Sequence, residues 1–185
     1  MLELNEVVLK GERQTLSLMA YKGRLTCLTG GTAERRRRWL YAMMGFEPAQ
    51  VGVVCVDGEP LTDATAAEIR ALMGFVPHEL KDEGEVRHYE APSVQDVFRL
   101  RANRHLPISN GILAEEMRRT GVTDDQARWL AVAVLLDRQI LLVDSPVAGT
   151  ADYLLRQARS GRTVIAATDD ESLLRHADEV VTLTD

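Results

Sequence analysis

The sequence predicts an α/β fold in which a mainly parallel sheet is flanked by helices on both faces. From residue 140 onward, short aliphatic runs alternate with helical stretches, a pattern typical of parallel strands joined by helices. Near the start of the chain, the turn-like Lys10-Gly11-Glu12 separates two strand-like runs, which predicts an additional antiparallel portion. With 185 residues and 45% hydrophobic content, the chain is expected to form a single domain around one core.

The individual elements follow from apolar runs and the turn residues that bound them. Strands are predicted at residues 2–9, 14–20, 24–29, 51–56, 73–77, 140–144, 163–168 and 179–184. Helices are predicted at residues 33–44, 62–72, 92–104, 112–120, 123–136, 151–159 and 171–175. Several residues are expected to bound these helices: a cap at Thr62 or Asp63, a helix start at Pro92 and Ser93, a break at Pro107 and a cap at Thr123 or Asp124. Residues 78–90 are polar and charged without apolar periodicity, so an exposed loop is expected there.

Composition excludes several classes of protein. A net charge of −6 and a pI near 5.3 argue against general nucleic-acid binding, which needs a basic surface. The amino terminus does not show the basic and apolar pattern of a secretory signal, and the apolar stretch at residues 130–136 is far shorter than a membrane span. Cys27 and Cys55 lie in strand-like runs, which favours buried thiols in a reducing cytosol. We therefore expect a cytoplasmic protein.

The most informative segment is residues 30–45, GGTAERRRRWLYAMMG, which follows a predicted strand and opens a predicted helix. A phosphate-binding loop has this context and the pattern G-x-x-x-x-G-K-[ST], in which a lysine reaches the outer phosphates and a hydroxyl holds magnesium. Counted from Gly30, the second glycine falls on Arg35, the lysine on Arg36 and the hydroxyl on Arg37. One glycine and one cation of the motif are retained.

Five segments in the expected order resemble the ATP-binding cassette of ABC transporters, from Leu2 to Leu183. They are the phosphate-loop segment at 30–45, the strand and hairpin VVCVDGEPL at 53–61, IRALMGFVPH at 69–78, ILLVDSP at 140–146, and TVIAATDD at 163–170 with HADEV at 176–180. The resemblance implies the fold of a P-loop NTPase, with an N-terminal antiparallel portion and a helical subdomain at about residues 91–136 that is short for the family.

The same resemblance exposes departures at the positions that the family uses for ATP hydrolysis. His78 stands where the Q-loop glutamine is expected, Ser145 where the catalytic glutamate is expected, and Asp169 where the switch histidine is expected. Residues 120–126, TGVTDDQ, occupy the approximate place of the signature loop without matching it. No aromatic residue lies between Val7 and Gln14, where the family places the ring that stacks on adenine.

A ligand set can still be mapped onto the chain from the resemblance. A nucleotide or another phosphate anion would be bound by Gly30, Gly31, Thr32, Arg35, Arg36, Arg37 and His78. Asp144 is the candidate metal ligand, although magnesium is not expected, because Arg37 places a cation where the metal-binding hydroxyl should be. Asp144, Asp169 and Asp170 follow strands and could form a carboxylate cluster, or could act as caps at the strand ends.

The residues 35–38, four arginines in the first turns of a helix, allow two interpretations. They could form a solvated turn with Glu34 and other acidic residues nearby, or they could bind an anionic partner. Successive helical residues point about 100° apart, so the four side chains are not expected to share one ligand.

The function that these observations predict is a cassette with degenerate motifs that does not hydrolyse ATP, because serine at position 145 is a poor base. It would act as a scaffold or regulator of a transport complex, with a membrane-spanning subunit or another cassette chain as partner, in a homo- or heterodimer. Its place would be the cytoplasm, at the inner face of the membrane through those partners. The alternatives are a weakly active transporter ATPase that uses Asp144, and a stand-alone binder of an anion or acidic protein through Arg35 to Arg38.

Overall fold

The computed structural model describes residues 1–78, 94–106, 108–123 and 125–184. Its strands are β1 (Leu2–Leu9), β2 (Leu16–Ala20), β3 (Leu25–Thr29), β4 (Ala49–Val56), β5 (Glu59–Pro60), β6 (Met73–Val76), β7 (Ile140–Asp144), β8 (Thr163–Ala167) and β9 (Glu179–Thr182). Its helices are α1 (Ala33–Met43), α2 (Ala66–Ala71), α3 (Val94–Arg99), α4 (Asn110–Thr120), α5 (Asp125–Leu135), α6 (Ala151–Arg159) and α7 (Glu171–His176), with a 3-10 turn at Arg101–Asn103.

The strands form two sheets. The first is antiparallel in the order β2-β1-β4-β5, and it places Leu4 opposite Leu18 on one side and Val54 on the other. The second is parallel in the order β6-β7-β8-β3-β9. Because the strands of the second sheet run the same way, the carboxyl ends of β3, β7 and β8 lie at one edge of it, where sites in such sheets gather.

One face of the parallel sheet packs against α1 and the antiparallel sheet. The side chains on this face include Leu28, Ile140, Leu142, Ile165 and Ala167, and they form one buried cluster with residues of β1 and β2. Helix α1 contributes the fully buried Trp39, Leu40 and Met43 to the same cluster. The apolar side of α1 therefore fixes the helix on the sheet and sets the direction of its first turn.

The opposite face of the parallel sheet packs against α5, α6 and α7. Alternate residues of the same strands point to this side, as the two-residue period of a strand requires. The cluster includes Leu141 and Val143 from β7, Leu130 from α5, Leu154 from α6 and Leu173 from α7. A buried hydrogen bond of 2.6 Å from the Tyr153 hydroxyl to Glu116 then fixes α4 on α6.

The predicted fold class is confirmed, and several element boundaries differ from the prediction. The short strand β5 was not predicted, and α2 begins at Ala66 rather than near residue 62. Neither Thr62 nor Asp63 caps α2, because the cap residue is Thr65, whose hydroxyl donates to the Pro60 carbonyl at 2.6 Å. Residues 62–65 form a hydrogen-bonded turn ahead of the helix.

The predicted helix at 92–104 is a six-residue helix, α3, followed by the 3-10 turn, and α4 begins two residues earlier than predicted, behind the cap Ser109. Several predictions fall outside the described residues: most of the loop at 78–90, the helix start at Pro92 and Ser93, the break at Pro107 and the cap at Asp124. Among the helices that the structure describes, none has the length and apolar character needed to cross a membrane.

Candidate functional site

The candidate site lies where β3 passes into α1. Gly30 and Gly31 both have positive φ, and Thr32 caps α1 by accepting the Arg35 backbone N–H on its hydroxyl at 3.1 Å. A Cβ on Gly30 would lie 2.5 Å from the carbonyl oxygen of Leu183, so the close approach of the chain after β9 requires glycine there. This glycine therefore has a packing reason that is independent of any phosphate.

Helix α1 begins at Ala33, so the backbone that a phosphate loop would wrap around its ligand is already helical. Three residues, 30–32, connect β3 to α1. Arg35 replaces the motif's second glycine without strain, because position 35 lies inside the helix and needs no positive φ. The backbone geometry at the start of α1 is that of a capped helix.

Arg36 stands at the lysine position and is buried, with 4% of its surface exposed. Its guanidinium donates to the carbonyls of Gly30 at 3.1 Å and Gly31 at 3.0 Å, and it pairs with Asp169 at 2.6 Å. The Nε of Arg36 has no hydrogen-bond partner among the described residues. The Arg36 guanidinium, which stands in place of the motif's lysine, thus contacts the carbonyls of the preceding glycines and the aspartate that follows β8.

Arg37 stands at the hydroxyl position and binds the candidate metal ligand. Its Nε lies 2.5 Å from Oδ2 of Asp144, which is 1% exposed at the end of β7. The Ser145 hydroxyl donates to the other oxygen of Asp144 at 3.2 Å. Both oxygens of the Asp144 carboxylate are therefore engaged by neighbouring side chains.

Arg35 and Arg38 share Glu12 from the connection between β1 and β2. Arg35 donates to Oε2 of Glu12 from Nε at 2.9 Å and from Nη2 at 2.6 Å, while Arg38 approaches Oε1 at 3.6 Å. Arg35 also donates to the carbonyl of Thr184, and Arg38 pairs with Glu47 at 2.6 Å. Glu12 and Thr184 are distant from Arg35 in the sequence, whereas Glu47 lies nine residues after Arg38.

Carboxylates of the same chain pair with all four arginines. In the part of the chain that the structure describes, these carboxylates include Glu12, Glu47, Asp144 and Asp169. The interpretation of a solvated turn is wrong for Arg36, which is buried. The expectation that the four side chains would not share one ligand agrees with their separate partners, although Arg35 and Arg38 do converge on Glu12.

His78 contacts Ser145, the residue that follows Asp144. A ring nitrogen of His78 lies 3.0 Å from the carbonyl oxygen of Ser145. Ser145 has a φ of 46°, a left-handed conformation that is uncommon for a residue other than glycine. Its backbone N–H donates to the Ala167 carbonyl of β8 at 2.9 Å, which anchors this conformation.

Gln126 is a site residue that sequence reasoning missed. It is buried at the start of α5, donates to the carbonyls of Asp144 at 3.0 Å and Pro77 at 3.2 Å, and accepts the Val147 N–H at 2.7 Å. It thereby links the helical region to the ends of β6 and β7. In the sequence, Gln126 is a polar residue at the start of a strongly apolar helix. This pattern could have singled out the residue, but it does not indicate which groups the side chain bonds.

The three aspartates at the edge of the sheet have different roles. Asp144 binds Arg37, Asp169 binds Arg36 and accepts from the Thr29 hydroxyl at 3.1 Å, and Asp170 accepts two backbone N–H groups as the cap of α7. Within the described residues, no group of three or more His, Cys, Asp or Glu side chains is arranged to hold a metal ion. Asp170 is thus the cap of helix α7, whereas the sequence interpretation was of caps at the strand ends.

No protein-family model matches the chain, and no curated protein matches it in sequence. Solved structures do match it. An ATP-binding subunit of an ABC transporter aligns with a TM-score of 0.72 and 16% identity, over 98% of this chain and 85% of that one. The chain has the fold of ABC transporter ATP-binding subunits.

Two further structures support this cassette fold. A protein of Pyrococcus furiosus described as an ABC transporter ATP-binding protein has a TM-score of 0.70 and 15% identity, over 98% of this chain and 96% of that one. The cbiO1 protein of Clostridium perfringens, part of the ABC transporter complex cbiONQ, has a TM-score of 0.69 and 15% identity, over 98% and 83%. The resemblance seen in the sequence is confirmed as a likeness of fold.

Proposed function

We propose that this cassette-fold protein does not hydrolyse ATP and serves as a scaffold or regulatory subunit of a transport complex. The observation that carries the proposal is the ion pair between Arg37 and Asp144. A side chain of the protein supplies the positive charge at the carboxylate that would otherwise hold a metal ion.

Magnesium binding is the first requirement of ATP hydrolysis that the Arg37–Asp144 ion pair opposes. A divalent cation at Asp144 would have to displace a guanidinium held at 2.5 Å, and it would then lie beside that displaced positive charge. Phosphoryl transfer depends on a metal ion that bridges and neutralises the phosphate oxygens. The arrangement therefore disfavours the magnesium complex of ATP.

Activation of water is the second requirement. Ser145 stands where a carboxylate would serve as base, and its hydroxyl donates to Asp144. A serine hydroxyl is a poor proton acceptor near neutral pH, and this one already uses its proton within the site. Asp144 itself accepts from Arg37 and Ser145, which weakens the alternative of an ATPase that uses Asp144 as its base.

The alternative of an anion binder through residues 35–38 receives less support than the scaffold. A bound anion needs guanidinium groups that can turn towards it, whereas these four are oriented by carboxylates of the same chain. An acidic partner would have to compete with each of those internal pairs.

A nucleotide titration tests the absence of hydrolysis. We expect calorimetry with ATP to show no gain in affinity on adding magnesium, and we expect no phosphate release above background. Asp144→Asn is the test variant, and the cap-preserving Asp170→Asn, at the same edge of the sheet, is its matched control. Magnesium-dependent turnover that disappears in Asp144→Asn and persists in Asp170→Asn would overturn the proposal.

An exposed apolar surface supports the docking role. Phe46 is 62% exposed and Val51 is 59% exposed, and the first residues of β4 remain accessible because β5 pairs only with its end. A groove of about 590 Å³ runs beside them and is lined in part by Phe46, Leu61 and Arg70. Apolar residues clustered around a groove are typical of interaction surfaces.

The occupant that we propose for this groove is a segment of a membrane-spanning transporter subunit. In cell fractionation, the wild-type protein should sediment with membranes, and Phe46→Glu should release it to the supernatant. Met19→Glu is the matched control, because Met19 is an exposed apolar residue on β2, outside the groove. Release by both variants, or a wild-type protein that never sediments, would contradict the docking role.

A further inference from the structure

We infer that residues 99–105 form a basic surface that binds the headgroups of an anionic lipid bilayer, with Leu100 inserted between them. The ligand class is the acidic phospholipid, presented as a membrane surface. The inference goes beyond the proposed function and does not depend on it, because the described residues that line the groove beside β4 do not include any of this surface.

The charge of this segment is opposite to that of the protein as a whole. The chain carries a net charge of −6, yet residues 97–114 include three arginines and no aspartate or glutamate. All three, Arg99, Arg101 and Arg104, are exposed. Because no acidic residue within the segment offsets them, a partner attracted to this surface by charge must be anionic.

Two of the arginines are available to a ligand. Arg104 donates from Nε to the carbonyl oxygen of Arg99 at 3.2 Å. In the part of the chain that the structure describes, neither Arg101 nor Arg104 forms an ion pair with a carboxylate. The arginines of residues 35–38, in contrast, pair with carboxylates of the same chain. Arg101 and Arg104 can therefore bind phosphate oxygens without first displacing another anion.

Leu100 supplies the apolar part of the surface. It is 56% exposed, and it lies between Arg99 and Arg101 in the sequence. Its backbone has a φ of −54° and a ψ of 140°, an extended conformation that separates α3 from the 3-10 turn. An aliphatic side chain flanked by guanidiniums suits a bilayer interface, where the apolar group enters the acyl boundary and the cations bind the headgroups.

The turn that carries these side chains is held in place by Asn103. This residue is 8% exposed, and its side-chain amide donates to the Val97 carbonyl at 2.7 Å. Its backbone N–H donates to the Leu100 carbonyl at 2.8 Å. The exposed side chains are thus presented by a turn that is already ordered, so binding requires little further ordering of the backbone.

A membrane fits this surface better than an acidic protein does. A single aliphatic residue that protrudes between cations needs an apolar layer behind an anionic one, and a bilayer interface has this composition. A protein partner would need a matching cavity for Leu100. Three arginines are too few to anchor a protein alone, since stable attachment takes two signals. The surface therefore orients the protein at a membrane and does not by itself hold it there.

Co-sedimentation of the purified protein with lipid vesicles is the first test. Vesicles of phosphatidylcholine alone are compared with vesicles of equal parts phosphatidylcholine and phosphatidylglycerol at low ionic strength. The wild type should sediment with the mixed vesicles and stay in solution with phosphatidylcholine alone, and added salt should release it. Absence of binding to the mixed vesicles, or equal binding to both kinds, would overturn the inference.

Substitution of the arginines tests the charged part of the surface. Arg101→Gln combined with Arg104→Gln should weaken binding to the mixed vesicles by more than roughly tenfold, because each arginine near an anionic surface contributes a gain of roughly fivefold. The matched control is Arg159→Gln combined with Arg175→Gln, which removes the same charge from α6 and α7 and should bind like wild type. An equal loss in the control would show that net charge, and not this surface, explains the binding.

Leu100→Glu tests the apolar part. It should abolish sedimentation with the mixed vesicles, whereas Val180→Glu, the same change at an aliphatic residue that is 45% exposed on β9, should leave sedimentation unchanged. Full binding by Leu100→Glu would contradict the inference. If a variant does not fold, hydrogen exchange on the wild type decides: the amides of residues 99–105 should exchange more slowly with the mixed vesicles, and equal exchange with both kinds would count against it.

Two further measurements separate the inference from its alternatives. Binding to polyglutamate without binding to the mixed vesicles would overturn it in favour of an acidic protein partner. Phe46→Glu should bind the mixed vesicles like wild type, because Phe46 lines the groove beside β4; loss of binding in this variant would contradict the assignment to residues 99–105. The vesicles contain no transporter subunit, so failure here leaves the proposed docking role standing, and failure of that role leaves vesicle binding unaffected.

Discussion

The two ion pairs at the edge of the parallel sheet are built in opposite ways. In the pair at β7, the carboxylate of Asp144 is 1% exposed, whereas the side chain of Arg37 is 33% exposed. In the pair at β8, the carboxylate of Asp169 is 61% exposed, whereas the side chain of Arg36 is 5% exposed. Each pair joins one buried charge to one that water can reach, so the cost of losing a partner depends on which member remains.

Because the buried member is the carboxylate in one pair and the guanidinium in the other, an incoming ion would meet different competition at each. An incoming cation at β7 must compete for a buried carboxylate that already has a guanidinium. An incoming anion at β8 must compete for a buried guanidinium that already has an exposed carboxylate and two backbone carbonyls. In the second pair the Asp169 carboxylate is exposed, so water can hydrate it once an anion has displaced it.

Arg37→Met should have the largest effect on stability. It leaves the buried Asp144 carboxylate without its guanidinium, and loss of a partner from a buried charge costs about 3–5 kcal/mol. Urea unfolding in the presence of a chelator measures the loss. Combining it with Asp144→Asn should recover most of the stability, and a double variant as unstable as Arg37→Met would show that packing rather than charge holds this position.

Asp169→Asn should have the second-largest effect. The substitution leaves the buried Arg36 guanidinium with the carbonyls of Gly30 and Gly31 but without a counter-charge. The expected loss is about 1–3 kcal/mol, the cost of an unsatisfied buried polar group. The same urea measurement, repeated at high salt, checks it. A loss below that of Asp144→Asn would contradict the proposed asymmetry.

Asp144→Asn alone should cost less, at about 1 kcal/mol or below. It removes the buried charge and leaves Arg37, which is partly exposed and can be hydrated. Thermal unfolding compared with Arg37→Met provides the contrast, because the two variants break the same pair from opposite sides. Equal losses from both would show that the burial of Asp144 does not decide the energetics.

Asp170→Asn should have the smallest effect and should depend on pH. The backbone N–H of Leu173, together with Ser172, holds the pKa of Asp170 below its usual value. A folded pKa below the unfolded one contributes stability above the unfolded pKa of about 3.9 and loses it as the pH falls through the folded pKa.

Asparagine still caps the helix, so the wild type should be slightly more stable near neutral pH, and the difference should vanish in acid. Urea unfolding of both proteins across this pH range measures it. A difference that grows on acidification would contradict the assignment of Asp170 as a charged cap.

Much of the fold was predictable from local patterns. The strands β1, β7 and β8 and the helices α1 and α6 follow from aliphatic runs and 3.6-residue periodicity, and they were placed to within a residue or two. The start of α2 was misplaced because Thr62 and Thr65 bond to each other across a turn, so the first candidate cap serves the turn instead.

The candidate site was predictable only in part. The positions of Gly30, Arg36, Asp144 and Ser145 followed from motif spacing, and the structure places them around the start of α1 and the end of β7. Their partners did not follow. Glu12 lies 23 residues before Arg35, and no local pattern indicates which carboxylate a given arginine binds.

The sequence by itself determined the order of elements, the loss of the motif's lysine, hydroxyl and second glycine, and the presence of four consecutive arginines, because these depend only on residue identity and spacing. Only the tertiary structure decided which carboxylates pair with the arginines, and in particular that Arg37 binds Asp144. The physical reason is that ion pairing depends on which charges the packing of α1 against the two sheets brings within a few ångströms, and that distance is set by the whole fold.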